Sequence, residues 1–287
     1  MTPRNHREPV LPQALFERVV AKLGLPPEPG LDLAGLGRVY AAYSGQIAND
    51  NVQKRIWLAG DRARPPTGGD PTEFFSNWLD HGTGGTCFAA NGGLCALLGA
   101  MGFDAQRFSG GVLMEGLEHD GNHGSVVARI ESVDYLVDAQ LASFVPLPLI
   151  PGQFASTGQG IHDISAAPNA NGFDISWYPG ANRERPMVMR LDLASGPVSH
   201  AYFLAQYALS ASRQRRRSPF NEALFVGRHF PGSTMIVSRN ARIVVSADNS
   251  VSKKEISPKQ RIQILIEDFE LSRQVVNAIP PDEEPAV

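Results

Sequence analysis

The chain has 287 residues and 43% hydrophobic content, enough for one large domain or two to three small ones and a composition that excludes disorder for its bulk. Its 26 basic and 29 acidic side chains leave a formal charge of -3, so no overall electrostatic attraction to nucleic acid or an anionic membrane is expected. A small or carrier-borne substrate fits better. The first eight residues are followed by no apolar stretch of the signal-peptide kind, and no window approaches eighteen uninterrupted apolar residues, so a cytoplasmic location is the expectation.

Residues 11–23 read as an amphipathic helix, with Leu15, Val19, Val20 and Leu23 on one face, ended by Gly24 and the Pro26-Pro27 stretch. A second helical segment is expected over 33–58. The Pro/Gly-rich run 62–70 reads as a loop, and Asp70 followed by Pro71 signals a short helix over 71–79. After Met101 the pattern changes to short strands at 111–114, 125–130, 135–138 and 187–193, an antiparallel sheet or barrel. Between them, 146–186 is rich in Gly, Pro, Asn and Ser and reads as one long irregular stretch. The last eighty residues give strands at 223–230, 233–238 and 241–247, joined by tight turns at Pro231-Gly232 and Arg239-Asn240. Ser257-Pro258 then opens a helix carrying Ile262, Leu265, Ile266, Phe269 and Val276 at helical spacing. Helices, then strands, then a mixed terminal unit make an α+β protein of three parts.

The two cysteines, Cys87 and Cys95, match no zinc-ligand spacing and supply no disulfide framework. On one helix they stand about 12 Å apart, beyond disulfide reach, so free thiols and no metal are expected. A Gly84-Gly85 turn runs straight into the small-residue helix that Cys87 begins. Unpaired N–H groups and aligned peptide dipoles at a helix start favour the thiolate and supply donors for a developing oxyanion. Cys95, inside an apolar helix, reads as core.

A reactive thiolate needs an imidazole, and the imidazole needs a group that fixes its tautomer. His123 opens the strand 125–130, which returns after a short turn through Tyr135-Leu-Val-Asp138. Paired positions in an antiparallel hairpin have a constant sum. A two- or four-residue turn makes that sum odd, and His123 and Asp138 then share one face of the sheet, opposite or diagonal. Among the other histidines, His6, His81, His119, His162, His200 and His229, none has an equivalent same-face carboxylate, although His81 and His119 are close in sequence to the candidate residues.

The words Thr83-Gly-Gly-Thr-Cys87-Phe-Ala-Ala-Asn91, His123-Gly-Ser-Val-Val and Tyr135-Leu-Val-Asp138, in this order and spacing, resemble the arylamine N-acetyltransferase family, and Ser218-Pro219-Phe220 resembles a further family feature. The resemblance implies a helical domain over 1–101, an antiparallel β-barrel domain over 102–205 and an α/β lid over 206–287, with a papain-like Cys87, His123, Asp138 triad. It implies a ping-pong reaction in which the thiolate takes an acetyl or other acyl group from acyl-coenzyme A and passes it to a small arylamine-type nitrogen nucleophile. It also places Gly121 and Asn122 where part of the coenzyme is received, and Phe88 beside the substrate. Thr83 and Ala89 stand where the family word has arginine and glutamate, and Ala139-Gln140-Leu141 replaces the Gly-Phe-Gly that often follows the aspartate. These departures bear on the acceptor and the donor. An amide synthase fed by an acyl carrier protein, or a cysteine hydrolase or non-catalytic relative, are the alternatives. The run Arg213, Arg215, Arg216 and Arg217 reads more readily as a solvated loop than as a phosphate site.

Overall fold

The protein is described by a computed structural model covering residues 9–113, 121–178, 183–212 and 219–283. His6, His119, the 213–217 arginine run and Ser218 lie outside the described residues. Helix α1 (Gln13–Leu23) buries Leu15, Phe16, Val19, Val20 and Leu23, and Gly24, at φ 68, ends it in the left-handed conformation that glycine adopts at least cost. Helix α2 (Leu33–Gln46) is capped by Asp32, whose carboxylate accepts from Gly35 N at 2.7 Å.

The single helix expected over 33–58 is instead α2, the two-residue strand β1 (Asn49–Asp50) and helix α3 (Val52–Ala59). Tertiary bonds break it. Asp50 accepts from Val52 N and Gly84 N, and Asn51 donates to Phe220 O and Ala223 O. Such contacts outweigh the weak intrinsic preference of a few residues for helix. Helix α4 (Pro71–His81) starts on the Asp70 cap, as expected, and leads into helix α5 (Cys87–Ala100), which is buried from Phe88 to Leu98.

The barrel strands are β2 (Asp104–Leu113), β3 (His123–Ile130), β4 (Val133–Leu136), β5 (Leu147–Leu149), β6 (Ala155–Ser156), β7 (Ile164–Asn169), β8 (Gly172–Trp177) and β9 (Met187–Asp192). They form one antiparallel sheet in the order β5-β4-β3-β2-β9-β8-β7-β6, with β5 and β6 brought together so that the sheet nearly closes on itself. Phe108, Val127, Leu136, Ile175 and Met189 help to fill its interior. The stretch 146–186 is therefore not an irregular loop: it supplies four of the eight strands. Those strands are only two to six residues long, and β8 alternates a buried residue with a partly buried one. Asn169, Asn171 and Gly172 lie at the hairpin turn between β7 and β8.

Helix α6 (His200–Ser210), to which no sequence signal was assigned, follows β9 and crosses residue 205. It opens on Ser199, whose hydroxyl accepts from Tyr202 N, and packs on α5. A short helix α7 (Pro219–Glu222) precedes β10 (Phe225–Phe230), β11 (Ser233–Ser238), β12 (Ala241–Ser246) and β13 (Val251–Glu255). With β1 these form the sheet β1-β10-β11-β12-β13, so an element of the first hundred residues edges the sheet of the last eighty. The two expected tight turns are present, with Phe230 paired to Ser233 and Ser238 to Ala241. Strand β13 adds to the three strands expected there.

The terminal helix is divided into α8 (Pro258–Glu267), with a full Ser257/Gln260 capping box, and α9 (Arg273–Ala278). Glu270, at φ 59, breaks it where Ser272 N donates to His81 O and docks this segment on the end of α4. Among the described residues, no helix is long and apolar enough to cross a membrane.

Candidate active site

The turn before Cys87 is held from several sides. Asp50 Oδ2 accepts from Gly84 N at 2.6 Å, Asp50 N donates to Gly85 O at 3.3 Å, and Gln140 Nε2 donates to Gly85 O at 3.1 Å. A Cβ on Gly84 would lie 1.8 Å from Ala48 O, so glycine is required there for the approach of the protein's own backbone. The chain then enters α5 with Cys87 as its first residue, half-buried, and Thr86 supplies no side-chain cap to the first-turn amides. The next turn of α5 presents Asn91.

The hairpin β3–β4 has a two-residue turn, Glu131-Ser132, and pairs Ile130 with Val133 and Val127 with Leu136, a constant sum of 263. That odd sum puts Asp138 opposite Ser125 and diagonal to His123, on the face that carries Val127 and Leu136 into the barrel interior. His123 Nε2 donates to Asp138 Oδ2 at 2.8 Å, and Ser125 Oγ donates to the same oxygen at 2.6 Å. Asp138 Oδ1 accepts from Asn91 Nδ2 at 3.1 Å, Gln140 N at 2.9 Å and Leu141 N at 3.3 Å. The carboxylate, fully buried, thus receives five donors. Asn91 also donates to Gly124 O and accepts from Ala139 N, locking α5 to both strands of the hairpin.

With Nε2 taken by Asp138, Nδ1 is the imidazole nitrogen left for the thiol, and His123 hydrogen-bonds Cys87. Burial alone would push the Cys87 thiol up. The charge and hydrogen bond of His123 outweigh it, with help from the Gly124 amide and Lys54, and the pKa falls below its ordinary 9.0. Burial likewise opposes the charged form of His123, but Asp138 and Cys87 raise its pKa well above 6.5. Asp138 is lowered despite its burial, by His123, Ser125 and Asn91. The balance favours a thiolate, an imidazolium and a carboxylate in one row. Cys95 is the contrast: buried in α5 with Sγ toward Ala105 O, its thiol is pushed up to about 12.

The other expected residues fall around this row. Phe88 is buried with its ring edge-on to Phe203 of α6 at 5.3 Å. Gly121 adopts φ 67 against Tyr202 Oη. Asn122 spends its side chain on Val112 N and O, while its own carbonyl lies 4.0 Å from Cys87 Sγ. Thr83 and Ala89 are buried, and Gln53 Nε2 donates to Thr83 Oγ1. His81 bonds Ser272 Oγ, whereas His162 bonds Phe230 O and meets the His229 ring edge-on at 5.4 Å. The sequence reading missed Ser125, Asp50, Lys54 and the whole of α6. Ser125 carried a usable signal, two residues along the strand from His123 and so on its face. Asp50 and Lys54 carried none, because their placement comes from the break in the expected long helix.

A family model described as N-acetyltransferase matches residues 68–277, a span that includes Cys87, His123 and Asp138. No curated protein matches the sequence. Among solved structures, the arylamine N-acetyltransferase from Mycobacterium abscessus is similar at TM-score 0.75 and 19% identity, over 92% of this chain and 93% of that one. The arylamine N-acetyltransferase from Salmonella typhimurium is similar at 0.77 and 16%, over 94% and 98%. A Bacillus cereus arylamine N-acetyltransferase, described as having a unique Cys-His-Glu catalytic triad, is similar at 0.74 and 14%, over 91% and 100%. At such identities the structural likeness carries the fold, and the family match, over more than half of the chain, carries membership. The chain belongs to the arylamine N-acetyltransferase family, as a divergent member, and is an acyltransferase.

Proposed function

We propose that the protein transfers an acetyl or other acyl group from acyl-coenzyme A to a small arylamine-type amine by a ping-pong reaction, with Cys87 as nucleophile, His123 as acid and base, and Asp138 orienting His123. The observation that supports it most is the fully buried Asp138 held 2.8 Å from His123 Nε2, beside a half-buried thiol of lowered pKa. In this reading residues 1–101 supply the nucleophile, 102–205 the base and its carboxylate, and 206–287 a cover.

The Cys87 thiolate attacks the thioester carbonyl carbon of the donor, and the new S–C bond forms as the old one breaks. His123 gives its proton to the departing thiolate. The neutral imidazole then accepts a proton from the attacking amine as the amine displaces Cys87, and the thiolate–imidazolium pair is regenerated. Backbone N–H groups at the start of α5 are the donors available to the carbonyl oxygen in both steps. The reacting group that acyl-coenzyme A brings, a thioester, suits a thiolate because the bonds exchanged are of similar energy. The Asn122 carbonyl borders the sulfur, and in this reading Gly121-Asn122 is where the donor would be met.

Incubation with acetyl-coenzyme A followed by intact-mass measurement tests this. One acetyl group should appear on the wild type and on Cys95→Ala, be absent from Cys87→Ala, and be discharged by an aminobenzoate acceptor. No adduct from any acyl-coenzyme A, at a pH where iodoacetamide still labels Cys87, would refute the reading.

A further inference from the structure

One buried cation near the turn that leads into Cys87 has no role in the scheme above. Lys54, on α3, is 4% exposed, and its Nζ donates to Ser210 O at 3.2 Å and Ser210 Oγ at 3.3 Å, at the last residue of α6. Both acceptors are uncharged. Burial lowers the pKa of Lys54 to about 8, and the ionisable group that acts against this is Cys87, on whose thiol Lys54 acts in return. Burying an ammonium away from water is costly unless an opposite charge compensates it. The Ser210 carbonyl at the end of a helix offsets only part of that cost. The start of α3 is also held against the turn that leads into Cys87: Asp50, on β1 just before it, bonds Gly84 N and Gly85 O, and Gln53, next to Lys54, donates to Thr83 Oγ1.

We propose that Lys54 is a positioning residue of the catalytic centre: its buried ammonium, anchored to the end of α6, is a second cation beside His123 that holds the negative charge of the Cys87 thiolate. The proposal rests on the reading of Cys87 as nucleophile. The titratable groups facing Cys87 are His123 on β3, Lys54 on α3 and Tyr207 on α6, with Asp138 behind His123 and with Asp50 and Glu73 acting on Tyr207. Tyr207 is buried and held neutral, its pKa raised by burial, so Lys54 and His123 are the two groups that favour the anion. During acyl transfer the thiolate becomes a neutral thioester sulfur, and Lys54 is left without its counter-charge. Its field then favours return of electrons to sulfur, which is the bond-breaking event when the amine displaces Cys87.

The pH dependence of iodoacetamide alkylation of Cys87 in the full chain tests the proposal without requiring turnover. In Lys54→Met the midpoint should rise by about 0.5 to 1 unit, a roughly three- to tenfold slower labelling at a pH below both midpoints. Lys54→Arg should keep the low midpoint. Ser210→Ala, which removes one anchor and leaves the charge, should move it less than Lys54→Met does. If Lys54→Met does not fold, Lys54→Gln serves for the same measurement. An unchanged midpoint on loss of the charge overturns the proposal, as does a Ser210→Ala shift equal to that of Lys54→Met, which would make the effect one of helix packing. A wild-type midpoint at the ordinary thiol value would instead sink the reading of Cys87 itself, and the role of Lys54 with it.

Discussion

Replacing Asp138 with Asn changes one oxygen to an amino group in a site built entirely of donors. If the amide oxygen faces His123 and Ser125, its NH2 meets Asn91 Nδ2, Gln140 N and Leu141 N. None of these can adapt: two are backbone amides, and Asn91 is fixed by Gly124 O and Ala139 N. If the NH2 faces the other way it meets Ser125 Oγ, which can turn to Met189 Sδ at 3.5 Å, and His123 Nε2, which can lose its proton. The second orientation leaves two adaptable groups to adjust in place of three fixed ones, and it wins. His123 then carries its proton on Nδ1, the nitrogen that faces Cys87, and can no longer take the thiol proton.

The expected cost is a fall of about three to four decades in acyl-transfer rate, the size seen when a triad histidine is held in the wrong tautomer. Because His123 sheds its proton no unpaired charge stays buried, and the added stability loss should be that of charged hydrogen bonds replaced by neutral ones, about 1.5–3 kcal/mol. The pH dependence should change too. Asp138 is lowered from 3.8, so its contribution is present above that value and is lost as pH falls. His123 is raised from 6.5, so its contribution is complete below 6.5 and is lost as pH rises through its higher folded value. The pair therefore stabilises most between about 4 and 6.5, and Asp138→Asn should flatten that maximum in urea unfolding curves. Single-turnover acylation and alkylation of Cys87, measured against pH, follow the chemistry. An Asp138→Asn protein that labels and turns over like the wild type would refute the tautomer argument.

Two further substitutions probe the frame around the site. Gly84→Ala places a Cβ against Ala48 O, so the turn before Cys87 must move; thermal unfolding should show a loss of about 3 kcal/mol, together with slower Cys87 alkylation, and wild-type behaviour would contradict the close approach. At the contact between the barrel and the second sheet, burial and the neighbouring His162 depress His229 to about 3, and burial also lowers His162. His229 stays neutral when folded but charges when unfolded, and His162 is shifted in the same direction, so stability should fall as pH drops below 6.5. Removing one of them, in His229→Gln, should reduce that slope by about 1.4 kcal/mol per pH unit, and an unchanged slope would show that the pair does not titrate as described.

The sequence was most legible where short-range physics decides the outcome. The Asp70-Pro71 start of α4, the Pro231-Gly232 and Arg239-Asn240 turns and the β3–β4 register follow from local backbone preferences and the two-residue period of a strand, which fixes who shares a face whatever else the chain does. The start of a helix at Cys87 belongs with them, because glycines before it and small apolar residues after it leave little alternative. Sequence alone misread three places where distant partners rule. The expected helix over 33–58 broke because Asp50 and Asn51 bond the glycine turn and the α7–β10 segment. The 146–186 stretch became β5 to β8 because very short strands carry too little periodicity to be recognised until neighbours pair with them. Helix α6 buries only Phe203 and Tyr207 and leaves Ala201, Ala205, Ala208 and Leu209 exposed, so its apolar residues do not mark out the one face that packs.

The candidate site divides along the same line. The sequence determined the types and order of the row Cys87, His123 and Asp138 and the parity that puts the last two on one face. Only the tertiary structure decided that five donors converge on Asp138, that Asn91 locks α5 to the hairpin and that Lys54 is buried against the end of α6. Those contacts join segments dozens of residues apart, and their energies depend on burial, which no local pattern contains.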